Sequence, residues 1–334
     1  MMQSYWMNTV GEEAQIELRT VPMPEPGPGQ LLLRMHAAGL NRGEFIIGHG
    51  LTKAGTAKAI GLEGAGEVVK VGAGVKRFAP GARVMGRFTG AQSEYALLKE
   101  AEAMAAPQHL SWEEAAGIPI TYMVAHDMLV TQGHLGAGEW LLVTGVSSGV
   151  GVAAFQIARA LGARVIGTSG SQAKLDALSA LGLDVALCTR SPDFHDAVIQ
   201  ATAGAGVDLV VNTVGGSVFA ECVRSLAFKG RLATVGYVDG VLNASIDLQA
   251  LHAKRLTLFG VSNKMVSSGH RAESAANFEA DLMPMMNDGR LRPLVDQVFG
   301  FDQLVAAKAH MEANAHLGKI IIAMPETPRS QEAQ

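Results

Sequence analysis

Twelve residues, Trp140–Gly151 (WLLVTGVSSGVG), carry the residue types that hold a phosphate. An apolar strand signal, Leu141, Leu142 and Val143, runs straight into a turn of glycine and serine. A helical pattern follows, with Ala154, Ile157, Ala158 and Leu161 on one face at i, i+3, i+4 and i+7 and Gly162 as its stop. Strand, tight turn and helix N-terminus together make an anion site. The first backbone N–H groups of the helix have no partner within it, and the helix dipole is positive at that end. Small side chains there let a pyrophosphate approach the backbone. A glycine turn alone is a weak signal; a strand before it and a helix after it make it a dinucleotide-binding expectation.

The next strand signal, Ala163–Gly167 (ARVIG), ends in Thr168, Ser169, Gly170 and Ser171, with Lys174 just beyond. A site for NAD places Asp or Glu about 20 residues past the glycines, on the ribose 2′-OH. Here no carboxylate occurs before Asp176. Hydroxyls and a lysine suit a 2′-phosphate, a dianion that needs donors and a cation. Taken alone, Thr168–Ser171 reads equally well as a polar turn and Lys174 as a solvated helix residue. Following the glycine turn, the set points to NADPH.

Alternating strand and helix signals position these residues. Strands are expected at Leu141–Thr144, Arg164–Thr168, Asp184–Leu187, Val207–Asn212, Arg231–Gly236 and Leu256–Val261. Helical patterns fall at Val150–Leu161, Gln172–Leu181, Asp193–Ala201 and Val218–Leu226. Near-continuous apolar strands separated by helices imply a doubly wound, six-stranded parallel sheet covered on both faces, with ligand at the strands' carboxyl ends. The first ~117 residues differ. Short strand signals (Leu31–His36, Gly66–Val71, Arg83–Met85, Glu94–Leu98) lie between glycine–proline clusters, which argues for an irregular, mainly antiparallel β domain. The expected division is 1–117 completed by 263–334, around a nucleotide-binding domain at 118–262. The closing segment should return a strand, Lys319–Ala323, to the first domain, and the polar stretch Glu326–Gln334 should fray.

Composition narrows the class. Of 334 residues, 48% are hydrophobic and 17% charged, the balance of a chain with large buried cores rather than a disordered one. The net charge of −4, with no window dense in Lys and Arg, argues against a nucleic-acid partner. No secretory signal and no apolar run of ~20 residues is visible, so no membrane span is expected. Two cysteines, Cys188 and Cys222, are too few and too far apart for a disulfide framework or metal cluster, and fit a reduced cytoplasm.

Together these segments resemble the medium-chain dehydrogenase/reductases, in the zinc-free quinone-oxidoreductase branch that includes zeta-crystallin-like proteins. The resemblance rests on VPMPEPGPGQLLLRMHAAGLN (21–41), GLEGAGEVVKVGAGVKRFAPGARV (61–84), LLVTGVSSGVGVAAFQIARALGARVIGTSGSQAKL (141–175), GVDLVVNTVGG (206–216) and GKIII (318–322). It implies an α/β chain with a Rossmann domain and a GroES-like substrate domain. Zinc relatives hold the catalytic metal with a Cys, a His and a third Cys or acidic residue. The matching positions here are Asn41, Leu62 and the apolar surroundings of Gly117 and Ile118, and Leu62 cannot supply a ligand. No metal is expected, and His49, His126, His134 and His252 read as surface or packed residues. Without zinc to lower an alcohol's pKa, the chemistry left is hydride delivery from NADPH to a quinone or an α,β-unsaturated carbonyl.

The resemblance also implies roles. Ser147, Ser148, Gly149, Val150 and Gly151 would cradle the pyrophosphate, with Thr168, Ser169 and Lys174 on the 2′-phosphate. Asn41, Thr121, Val214, Gly236, Phe259 and Val261 would lie around the nicotinamide half, with Lys319 a further contact. The apolar members, Phe259 among them, read as well as core packing. Several positions depart from the family. Phe45, Ile46, Ile47 and His49 occupy the stretch where relatives often carry a tyrosine, leaving Asn41, His49 and Tyr122 as candidates for catalysis. Glu44 stands where relatives often carry Asp, Ser148 replaces a glycine, and Thr189 replaces a tyrosine able to stack on adenine. The segment GLTKAGTAKAI (50–60) lacks the usual aromatic and proline, which implies a remodelled pocket lip. A non-catalytic NADPH-binding protein and an alcohol dehydrogenase-like enzyme stand as alternatives. The apolar strand Leu256–Val261 is expected to form the centre of a homodimer interface.

Overall fold

A computed structural model describes residues 1–10, 13–45, 57–263 and 265–325. They form two compact units. The first holds Met1–Ile120, Ser268–Glu279 and the chain from Pro293 on; the second holds Thr121–Ser267 and Ala280–Arg292.

The second unit is built on six strands: β1 (Trp140–Thr144), β2 (Arg164–Ser169), β3 (Val185–Cys188), β4 (Val207–Asn212), β5 (Leu226–Thr234) and β6 (Thr257–Gly260). Their order is β3-β2-β1-β4-β5-β6, and every pairing is parallel. The order reverses direction beside β1, the place where such sheets open a crevice at their carboxyl ends. Strand β1 is buried along its whole length, as a strand covered on both faces must be. Helix α1 (Gly149–Ala160) follows it and buries Ala154, Ile157 and Ala158, the face visible in the sequence. Gly162 takes a φ of +82°, a left-handed conformation that ends the helix at low cost. Between β5 and the helix before it, the structure departs from expectation. That helix ends at Arg224 and Leu226 already pairs with Val207. A register shift follows, with Lys229 at a φ of +61°, so the residues between the expected helix end at Leu226 and the expected strand start at Arg231 form a bulge inside one long strand.

The first unit contains a seven-stranded sheet. Its path runs Val295–Gly300, Lys319–Ala323, Gln30–Gly39, Glu63–Val71, Arg83–Arg87 and Ala103–Ala105, with Tyr95–Lys99 also on Gln30–Gly39. Pairing is antiparallel except between the first two strands. Leu31, Leu33, Met35, Val68, Val84, Phe299 and Ile322 share its core. A smaller sheet joins Met2–Val10, Glu13–Val21 and Ala57–Ala59. Neither its N-terminal hairpin nor strand Val295–Gly300 was expected from the sequence. Among the described residues, no helix is long and apolar enough to cross a membrane. His49, Ile46, Ile47, residues 50–56 and Glu326–Gln334 lie outside the described residues.

Candidate functional site

The turn after β1 is held by its own polar groups. Ser148 caps α1, its hydroxyl accepting the Gly151 N–H at 3.1 Å. Gly145, at a φ of +67°, donates its N–H to Thr168 Oγ1 at 3.2 Å, and Val146 N–H donates to the Thr168 carbonyl. Gly149 and Val150, the first two residues of α1, keep N–H groups that have no intrahelical acceptor. A β-carbon on Gly151 would lie 2.5 Å from the Gly145 oxygen, so glycine is what lets the helix start this close to the strand. Ser147–Val150, where the pyrophosphate cradle was expected, are small half-buried residues over a positive helix end.

A second buried network braces the carboxyl ends of β1 and β4. Thr144 Oγ1 donates to Asn212 Oδ1 at 3.1 Å and accepts the Thr213 N–H, while Thr213 Oγ1 donates to the Thr144 carbonyl at 2.7 Å. Asn212 Oδ1 also accepts the N–H groups of Val214 and Gly215. The side-chain oxygens of this corner hold the backbone of Thr213, Val214 and Gly215 in place. Gly236 lies against the Thr213 carbonyl, and Phe259 and Val261 are half-buried and buried respectively near the end of β6.

At the end of β2, Ser169 Oγ and Ser147 Oγ are 3.1 Å apart, which ties the two loops together. Thr168 is buried and its hydroxyl serves Gly145, so its place is in the turn rather than at an open phosphate position. Lys174 lies half-buried on helix α2 (Gln172–Ala180). The sequence reading missed Arg190. Strands β2 and β3 pair through Ser169 and Cys188, so the residues after each strand end side by side. The Arg190 side chain packs across Gly170 where a β-carbon would sit. Its signal was an arginine two residues past a strand neighbouring the hydroxyl-rich loop.

Tyr122 is corrected as a proton source. Its ring is 2% exposed, its hydroxyl donates to Gln156 of α1, and burial pushes its pKa up beyond any use near neutral pH. Thr121, the neighbouring candidate, is also buried. His126 is buried against Asp281 at 2.8 Å, while His134 and His252 are exposed.

In the first unit, four polar side chains from three segments meet. Glu63, fully buried, accepts Lys319 Nζ at 2.5 Å and Asn41 Nδ2 at 2.9 Å on one oxygen, and Ile120 N–H at 2.7 Å on the other. Lys319 spends its remaining hydrogens on the Leu40 carbonyl at 2.9 Å and Asn41 Oδ1 at 3.1 Å. Gly39 makes room, since a β-carbon there would lie 2.5 Å from the Glu63 carboxylate. Glu44 Oε2 accepts the Gly61 N–H at 2.9 Å, and Oε1 faces Asn41 Nδ2 at 3.4 Å. Burial raises the Glu44 carboxyl to about 7, against the opposing pull of Gly61 and Asn41. Asn41 and Lys319 were expected from the sequence, whereas the carboxylates that organise them were not. Leu62 and Asn41 offer no metal-ligand set, and among the described residues no three His, Cys, Asp or Glu side chains converge as one.

Two family descriptions match this chain in order. Residues 27–139 match the alcohol dehydrogenase GroES-like domain, and residues 149–280 match the zinc-binding dehydrogenase family, together most of the chain. The chain belongs to the medium-chain dehydrogenase/reductase superfamily. Within it, the solved structures it resembles place it on the quinone-oxidoreductase-like side. A mycobacterial protein, Rv1454c, solved as its complex with NADPH, superposes with a TM-score of 0.86 at 26% identity, over 97% of this chain and 100% of that one. Quinone oxidoreductase from Pseudomonas syringae pv. Tomato DC3000 gives 0.85 at 26%, again over 97% and 100%. The pikromycin polyketide synthase component PikAII of Streptomyces venezuelae is 33% identical over 306 residues, 90% of this chain. The chain spans only 8% of that synthase. As a member of the superfamily the protein is an oxidoreductase fold with a nicotinamide-nucleotide unit and a GroES-like unit.

Proposed function

We propose that this protein is a zinc-independent, NADPH-dependent reductase that delivers hydride to a quinone or an α,β-unsaturated carbonyl. The observation that carries the cofactor choice is the end of β2. No carboxylate stands between Thr168 and Lys174, and the Arg190 side chain lies across Gly170 in the same loop cluster. A ribose 2′-OH is held by an acid, whereas a 2′-phosphate needs cations and donors, and Ser169, Ser171, Lys174 and Arg190 supply them. The NADPH complex of the mycobacterial relative supports the same reading.

The residues present fit a bound dinucleotide. Gly149 and Val150 would donate N–H groups to its pyrophosphate, with Ser147 beside them, and the braced Thr144–Asn212–Thr213 corner would fix Val214 and Gly236 against its nicotinamide half. When bound, the cofactor supplies the hydride. The protein's share is orientation in a site formed before the ligand arrives, which lowers the entropic part of the barrier. An acceptor that is already electrophilic suits a chain in which Leu62 stands where zinc relatives carry a histidine ligand. The Pseudomonas syringae relative is described as a quinone oxidoreductase, which supports that substrate class.

The test pairs binding with turnover. Titration should give at least ~10-fold tighter binding of NADPH than NADH, a difference of ~1.4 kcal/mol. K174A and R190A should each remove part of that preference while leaving NADH affinity alone. NADPH oxidation is then followed against a panel of quinones, enals and enones. Equal affinity for the two cofactors would overturn the NADPH assignment. Tight NADPH binding without turnover on any acceptor would favour a non-catalytic NADPH-binding protein.

A further inference from the structure

Three cations of the first unit, Arg87, Lys99 and Arg271, stand around the buried carboxylate of Glu102 and do no work in the reading above. We propose that this cluster is a binding site for a phosphate dianion, free or as a phosphate ester, with the Arg87 guanidinium as its main donor. The site rests on none of the hydride chemistry, and none of its residues belongs to the loops assigned to the dinucleotide.

The sheet brings the group together. Strand Arg83–Arg87 runs against Ala103–Ala105 with Gly86 opposite Ala103, so Arg87 and Glu102 come next along the same pairing. Glu102, 9% exposed, is already spent. Its Oε2 accepts Arg271 Nε at 2.9 Å, and its Oε1 accepts the Ser268 hydroxyl at 3.5 Å and faces Lys99 Nζ at 3.9 Å. Lys99 in turn donates to the Ser268 hydroxyl at 3.0 Å. On its other side Arg87 pairs with Glu63, whose oxygens are taken by Lys319, Asn41 and the Ile120 N–H. Arg87 is left over: its Nη1 is buried and meets no acceptor among the described residues. A guanidinium carries five N–H donors, and a buried donor without an acceptor is costly to keep.

Charge points to the class of ligand. Three cations around one carboxylate leave two positive charges over. Burial first, then the neighbouring Arg271, holds the Arg87 pKa below its ordinary value, with Glu102 pulling the other way. Two further acids on these segments are engaged elsewhere. Glu100 accepts the backbone N–H groups of Lys76 and Arg77, and Glu279 accepts the Arg77 guanidinium and the Ala105 N–H. A carboxylate ligand would bring one negative charge. A phosphate dianion cancels both, and presents oxygens to a guanidinium fork and an ammonium at once. The Lys99 side chain is half exposed, so such a ligand reaches the cluster from solvent.

Calorimetric titration of the full-length protein at constant ionic strength and mildly alkaline pH tests the site, with inorganic phosphate and phenyl phosphate as probes. R87Q should weaken phosphate binding at least ~10-fold and K99Q about two- to tenfold, the worth of charge-assisted hydrogen bonds, while K174A/R190A should leave it unchanged. Phenyl phosphate bound as tightly as inorganic phosphate supports a phosphate ester as the natural ligand; inorganic phosphate bound alone supports the free anion. Benzoate, a similar ring with a single charge, should bind at least ~10-fold more weakly than phenyl phosphate, and equal binding overturns the dianion. No saturable binding of either phosphate at millimolar concentration overturns the site. So does a loss confined to K174A/R190A, which would put the phosphate at the end of β2. Without phosphate, R87Q should unfold at no lower temperature than the wild type, because Arg87 Nη1 has no acceptor to lose; a large drop would show that the guanidinium serves the sheet and overturn the proposal.

Discussion

Replacing Glu44 with glutamine should change how the stability of the first unit depends on pH. The carboxyl is raised from an ordinary 4.5 to about 7 in the folded chain, chiefly because it is buried. A group that binds its proton more tightly when folded contributes stability that is fully present below pH 4.5 and is lost as the pH rises through 7. At ~1.4 kcal/mol per pH unit the full loss is about 3 kcal/mol, most of it between pH 5 and pH 8. The group is almost wholly buried, so solvent screening removes little of this. Urea unfolding reads it directly. Trp6 and Trp112 belong to the first unit and Trp140 to the second, so a W140F background isolates the relevant signal. In that background, E44Q should gain about 2–3 kcal/mol on its parent between pH 5 and pH 8, because the neutral amide has nothing to ionise. Parallel pH profiles for the two proteins would show that Glu44 does not carry a raised pKa, and the reasoning would fail.

Other outcomes follow from the same geometry. K319M leaves Glu63 charged and without its counter-ion, and should destabilise the first unit by about 3–5 kcal/mol in denaturant titration, with E63Q restoring part of the loss; a cost under ~1 kcal/mol would contradict a buried pair. G151A drives a methyl group into the Gly145 carbonyl and should weaken NADPH binding at least ~10-fold by calorimetry, whereas unchanged affinity would detach the turn from cofactor binding. Activity should survive strong chelator, with far less than one zinc per chain by elemental analysis; stoichiometric zinc and chelator sensitivity would reverse the zinc-free assignment. Strand β6 has an open edge, and the segment before it exposes Val238, Leu242 and Leu248, so a second copy is expected to pair there. T257K and F259K should weaken that dimer in sedimentation, and a monomeric mass for the unaltered protein would refute it.

What the sequence disclosed was local. The turn at Gly145–Gly151 is legible because its chemistry is written in neighbouring residues: small side chains, a capping serine and an apolar helix face at once. Strand Lys319–Ala323 is legible as KIIIA because it is buried on both sides. Strand Met2–Val10 was missed because Gln3, Ser4 and Asn8 interrupt its apolar pattern, and buried Ser4 finds its partner in Ser93, far off in sequence. The bulge at Lys229 hid the first half of β5 for a similar reason, since a register shift leaves no periodic trace. Site residues followed the same rule. Asn41 and Lys319 stand in recognisable segments, but nothing near either one announces that Glu63 binds both. Arg190 meets Gly170 only because their two strands lie side by side.

The place of strand Lys319–Ala323 has a consequence for synthesis on the ribosome. It lies between Val295–Gly300 and Gln30–Gly39, so Gln30–Gly39 leaves the exit tunnel long before the strand that pairs along that side of it. Glu63 and Lys319 are 256 positions apart. At ~5–20 residues per second, the carboxylate waits roughly 13–50 s for its ammonium partner. During that interval an apolar strand edge and an uncompensated acid are exposed together, while all six strands of the nucleotide unit have already emerged. The nascent chain therefore passes through a stage with one unit able to fold and the other held open, and that stage is where chaperones should engage it.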